Sequence, residues 1–188
     1  MSDRGKKIRW NKASVITLAG DLADAEGLDA VTLTRLAEAM GVKPPSLFNH
    51  IDSRNDLVRE LALAATLQLA ALVESSAPGT PVEALERMMA AYRAFVSGHP
   101  GRYEASLVVS RQQASTDGEL HSAEERVVAV GLKVAAGFGL AGPQAIHALR
   151  GWRAMAHGFC DLERRGGFGI PLDCDESYHR AVQALTPR

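Results

Sequence analysis

The chain runs to 188 residues, 46% of them hydrophobic and 23% charged, with a formal net charge of −1. This is the composition of a folded globular protein with room for one or two domains, and it excludes a disordered chain. Near-neutrality also excludes indiscriminate attraction to nucleic acid, so a role there needs positive charge gathered locally.

Such a gathering stands at the start, where Arg4, Lys6, Lys7, Arg9 and Lys12 are opposed only by Asp3. Alone it reads as a solvated arm; beside a DNA-reading element it would contact phosphates or the minor groove. Met1–Trp10 has no apolar segment of the kind a signal peptide carries. The most apolar run, Leu61–Val73, falls far short of the roughly 20 residues that span a bilayer, so a cytoplasmic protein is expected. The two cysteines, Cys160 and Cys174, are too few for a zinc site and read as small, half-buried apolar side chains, not as a disulfide.

The spacing predicts a first helix over 11–26, with Val15, Ile16, Ala19, Leu22 and Ala23 as its buried stripe and Gly27 as its stop. A second, Leu33–Met40, has Leu33, Leu36, Ala37 and Met40 on one face, Thr32 as N-cap and Gly41 at its end. A third opens at Lys43-Pro44-Pro45-Ser46, since proline is tolerated in a first turn. Leu47 and Ile51, four apart, hold it to the core and leave Lys43, Ser46, Phe48, Asn49 and His50 facing outward. A short helix with such a face suits the major groove of DNA. Ser53 with Asp56 reads as a capping box opening a long fourth helix that ends near Ser76.

Gly41-Val42, Leu47-Phe48-Asn49-His50-Ile51, Ser53-Arg54 and Leu57 resemble the helix-turn-helix of the TetR family of bacterial transcription regulators. The family pattern has tyrosine, phenylalanine and lysine where this chain has Phe48, Ile51 and Arg54; one phenol is lost and the cation is kept. The resemblance implies that Lys43, Pro44, Ser46 and Asn49 face base edges and that Thr34 reaches a base or a phosphate. Phe48, His50 and Arg54 would position the DNA backbone, joined by Lys6, Lys7 and Arg9 of the arm. It also implies a DNA-binding domain over 1–53 and a ligand-binding and dimerisation domain over 54–188.

Pro78-Gly79-Thr80-Pro81 is a linker turn, followed by a fifth helix over Val82–Ser97. Gly98-His99-Pro100-Gly101 breaks it, and a sixth runs from Arg102 to near Gln113. Ser115-Thr116-Asp117 caps a seventh, which ends at Gly139–Pro143; the eighth ends near Arg165. After Gly166–Pro171, Asp173 or Asp175 opens a ninth that ends near Leu185. No strand-like alternation occurs, so an all-α fold of about nine helices is expected.

Trp152, His157-Gly158-Phe159, Leu162-Glu163, Gly166–Gly169, Asp173, Asp175 and Ser177-Tyr178 resemble the C-terminal domain of the TetR branch named for its Trp-His-Gly residues. In that family the last two long helices pair with their symmetry mates. Here Ile146, Leu149, Trp152, Ala156, Phe159 and Cys160 form one apolar face, widened by Ala148, Met155, Gly158 and Leu162. The resemblance implies a homodimer that represses from a palindromic operator and is released by an unknown small-molecule effector. Met88, Met89, Tyr92, Phe95, Tyr103 and Trp152 would line the effector cavity, although such residues at helical spacing also read as plain core.

No catalytic constellation stands out, and neither a cofactor nor a metal site is expected from His99, His121, His147, His157 and His179, with His157 read as a structural hydrogen-bonder. Two alternatives stay open: an activator, and a helical ligand-binding or scaffold protein without sequence-specific DNA binding.

Overall fold

The computed structural model describes residues 10–76, 78–113 and 117–187. The predicted arm residues Arg4, Lys6, Lys7 and Arg9 lie outside them. Helix α1 spans Lys12–Glu26 and opens with a reciprocal cap: Asn11 Oδ1 accepts the Ser14 amide at 2.9 Å and Ser14 Oγ accepts the Asn11 amide at 3.0 Å. Gly27 ends it at φ 88°, and an unpredicted 3-10 turn over Leu28–Ala30 leads on to α2, Leu33–Met40. Gly41 then takes the left-handed conformation (φ 66°, ψ 31°), which lets the Val42 amide turn back to the Ala37 carbonyl at 3.0 Å.

The next element departs from expectation in kind. Pro44–Asn49 is a 3-10 helix, not a short α-helix. Pro44 and Pro45 bring no N–H groups, and the segment is held by Ser46 N to Lys43 O at 2.9 Å and His50 N to Leu47 O at 2.8 Å. Helix α3 follows over Arg54–Ser76. Ser53 Oγ accepts the Asp56 amide, as the capping box requires, but the Asp56 carboxylate accepts from Asp52 N and not from Ser53 N, both at 3.1 Å.

The remaining helices are α4 Pro81–Gly98, α5 Pro100–Gln113, α6 Gly118–Gly137, α7 Gly142–Arg164 and α8 Cys174–Ala184. The predicted four-residue break before α5 shrinks to His99, because Pro100 and Gly101 form the first turn of α5, a place proline fits well. The described residues contain no strand, and the fold is all-α. No single helix among them is long and apolar enough to cross a membrane.

Two apolar cores meet along α3. Leu57, Val58, Leu61 and Ala62 belong to the first, with Val15, Ala19, Leu36, Leu47 and Ile51. Ala65, Leu69 and Val73 belong to the second, with Leu85, Phe95, Tyr103, Trp152 and Tyr178. The first core also takes Ala105 and Val109 from α5 and Leu120 from α6. Its packing therefore continues past residue 53 into three later helices.

Arg59 reinforces this junction. Its guanidinium binds the Asp117 carboxylate through two bonds of 2.6 and 2.8 Å and reaches Glu119 at 2.7 Å, which ties α3 to the start of α6. Arg59 holds the Asp117 carboxyl down at about 2. A depressed carboxyl pKa adds stability above its unfolded value, and that stability is lost as pH falls through the folded value. Thermal melts between pH 5 and pH 2 should therefore show a fall in wild-type stability from near pH 4 downward. Asp117→Asn should melt lower at pH 5 and lose less on acidification. Parallel curves for the two proteins would rule out this clamp as the source.

Candidate nucleic-acid interface

The 3-10 helix is pinned from below. Leu47 and Ile51 are almost fully buried in the first core, so the residues between and before them are turned outward. Lys43, Pro44, Ser46, Phe48 and Asn49 are all exposed, and His50 is half-buried. Phe48 keeps 57% of its surface exposed, an unusual position for a large aromatic ring. Thr34, on α2, is exposed as well. These side chains are thus open to solvent, and in a winding of three residues per turn Lys43, Ser46 and Asn49 fall on one side.

The cations around these side chains are arranged less freely than their number suggests. Arg35 is held by Glu26 at 2.5 Å and Lys12 by Glu60 at 3.0 Å. Arg54 is turned partly inward: Nε donates to the Val31 carbonyl at 3.1 Å and Nη2 to the Leu28 carbonyl at 3.3 Å. It staples the start of α3 to the connection before α2, while 44% of its side chain stays exposed. Sequence reasoning had no means of seeing that role, because the two carbonyls lie more than twenty residues away.

The N-terminal helices are joined to the helices behind them through Asp24, at the end of α1. Its carboxylate accepts the Arg102 amide at 2.9 Å, contacts the Arg102 guanidinium, and meets His99 Nδ1 at 3.1 Å. Arg102 also binds Asp21 at 2.7 Å. Gly20 faces this guanidinium, and Gly101 lies directly against the Ala23 backbone, so a side chain at Gly101 would force α1 and α5 apart.

A profile described as the tetracyclin repressor-like C-terminal domain matches residues 85–185. An uncharacterized HTH-type transcriptional regulator of Bacillus subtilis, YobS, is 31% identical over 181 residues, covering 95% of this chain and 92% of the relative. Another uncharacterized HTH-type transcriptional regulator, Rv0681 of Mycobacterium tuberculosis, is 34% identical over 160 residues, covering 84% of this chain and 72% of the relative. The chain belongs to the TetR family of transcriptional regulators. It is a regulator of transcription and not an enzyme. Its fold is shared with a TetR variant from Acinetobacter baumannii AYE solved in complex with minocycline, at TM-score 0.67 and 19% identity, over 94% of each chain.

In this TetR-family chain the residues expected to line an effector cavity are packed into the second core. Met88, Tyr92, Phe95, Tyr103 and Trp152 each expose 9% of their surface or less, as does Met89. Tyr92 and Tyr103 meet hydroxyl to hydroxyl at 2.6 Å, and the Tyr103 hydroxyl reaches His157 Nδ1 at 2.9 Å. This chain of three polar groups runs from the interior to an exposed imidazole and gives His157 the structural hydrogen bond expected of it. Burial raises both phenols above the ordinary tyrosine range, so they stay neutral donors. Trp152 Nε1 donates to the Leu185 carbonyl at 3.2 Å and anchors the end of α8.

His157 and Cys160 stand three residues apart on α7, a spacing that a helical metal site would use. The structure directs them differently, with His157 exposed on Tyr103 and Cys160 buried. Burial pushes the Cys160 thiol up to about 11, so it is protonated at neutral pH and behaves as a small apolar group. Cys160 and Cys174 are both free thiols.

Proposed function

We propose that this regulator is a dimeric repressor that reads a palindromic operator with Lys43, Pro44, Ser46 and Asn49 and is released by a small molecule. The observation that supports it most is the exposed set of side chains pinned by Leu47 and Ile51. One six-residue helix reaches only a few base pairs, so specificity calls for two copies on a twofold axis. The surface of α7 offers a seam for that: Ala148, Gly151, Met155, Gly158 and Leu162 recur at alternating three- and four-residue spacing and are exposed or half-buried. A methyl group built on Gly151 or Gly158 would meet nothing within 4 Å, so the seam has room for a neighbouring helix.

Release by an effector is supported by the family membership and by the polar chain Tyr92–Tyr103–His157, which gives an otherwise apolar core a place to bind hydrogen-bonding groups. Met88, Phe95 and Trp152 would form the apolar walls. A ligand wedged there must favour the spacing of reading units that does not fit the operator; otherwise it shifts nothing.

The test is selection of bound duplexes from a random library, repeated at two salt concentrations. A palindromic consensus supports the reading; no consensus, with affinity that collapses alike for every sequence in salt, overturns it. Within a consensus, Asn49→Ala should relax one position by about 1–3 kcal/mol. Arg54→Ala should weaken every sequence equally and lower the salt slope. A change of preference in Arg54→Ala at unchanged affinity would contradict the assigned roles.

A further inference from the structure

A cleft of about 560 Å³ opens between α4, the end of α7 and α8, away from the Tyr92–Tyr103 pair. That size falls within the ordinary range of small-molecule sites. We propose that this cleft binds a lipophilic cation, at a site separate from the Tyr92–Tyr103–His157 chain.

The trough exists because α4 presents Ala90 and Ala94 where larger side chains would fill it, opposite Tyr178 and Val182 of α8. Arg93 crosses the same wall, but its charge is already matched. Its guanidinium binds Glu163 at 2.5 and 3.1 Å and Asp175 at 2.8 Å, and lies over the rings of Phe159 and Tyr178. Arg164, at the rim, is paired with Asp161 at 3.2 Å. The Arg93 guanidinium is therefore not offered to an anion, while Arg164 shares the Asp161 carboxylate with Arg165 at 2.9 Å.

Glu86 differs. It is half-buried one turn before Ala90, lines the cleft, and makes no hydrogen bond or ion pair among the described residues. The lining therefore carries three carboxylates against two guanidiniums, and the carboxylate left over sits beside an apolar trough. An anion would be repelled by Glu86, and a neutral apolar molecule would strip water from it without replacement. A cation with an apolar body satisfies both, filling the trough against Ala94 and Val182 while its charge faces Glu86.

Tetraphenylphosphonium and tetraphenylborate have nearly the same shape and opposite charge, which isolates the claim. Calorimetric titration of the full chain should show the phosphonium binding at least tenfold more tightly than the borate. Glu86→Gln should weaken the phosphonium about tenfold, and Ala94→Leu should abolish binding by filling the trough. Ala94 is exposed on a helix and leucine is a good helix former, so the fold should survive, as circular dichroism melts would verify. Equal affinity for the two ions, no binding of either, or binding indifferent to both substitutions would overturn the proposal. Release of operator DNA by the cation is measured separately and bears only on the effector reading.

Discussion

Gly101→Ala should destabilise the protein by about 3 kcal/mol, lowering its melting temperature by roughly 6–12 °C. A methyl group at this position would stand 2.1 Å from the Ala23 carbonyl carbon and oxygen and 2.6 Å from the Asp24 amide. All three are backbone atoms, so no rotamer change relieves the clash, and α1 must move away from α5. Because α1 packs in one core with Leu47 and Ile51, DNA affinity should fall with stability if the proposed function holds. Gly98→Ala is the matched control. A methyl group there meets nothing within 4 Å, and the melting temperature should hold or rise slightly. If both substitutions behaved alike, the close crossing of α1 and α5 would not be what holds the N-terminal helices in place.

Asp24→Ala should cost a similar amount, about 3 kcal/mol, for an electrostatic reason. The Asp24 and Arg102 side chains are only 14% and 13% exposed. Removing the carboxylate would leave the Arg102 guanidinium and amide and the His99 ring without their shared acceptor in a place water barely reaches. Asp21 still reaches Arg102 from the surface, but it is 62% exposed and offsets little. Chemical denaturation of the single variants and of the Asp24→Ala/Arg102→Ala pair would measure the coupling. A double variant as unstable as the sum of the two singles would show that the pair does not act as a unit.

The parts of this architecture that obey a local rule could be read directly. The stripes of α1 and α2, the Gly27 and Gly41 stops, and the outward set around Leu47 and Ile51 follow from spacing and from the chemistry of glycine and proline. The winding of the reading helix did not, because a window of six residues looks the same for a 3-10 and an α-turn. The joint at Asp24 and the Arg93 pairs with Glu163 and Asp175 were also invisible: each brings together residues at least 70 positions apart, and no periodicity marks them. The same limit applied to the body. Methionine and aromatic side chains at helical spacing identified the right core, but nothing local showed that the open cleft lies on the far side of α4, beside alanines.

The sharing of α3 between two cores bears on how such regulators diversify. Grafting residues 1–53 onto another family body would leave behind Leu57, Leu61, Ala105, Val109 and Leu120, all of which belong to its core. A chimaera that recombines operator specificity with a new body has to carry the first two turns of α3 and matching patches of two later helices. A graft joined within Ala62–Ala65 should therefore keep its first core only where the later patches on α5 and α6 match.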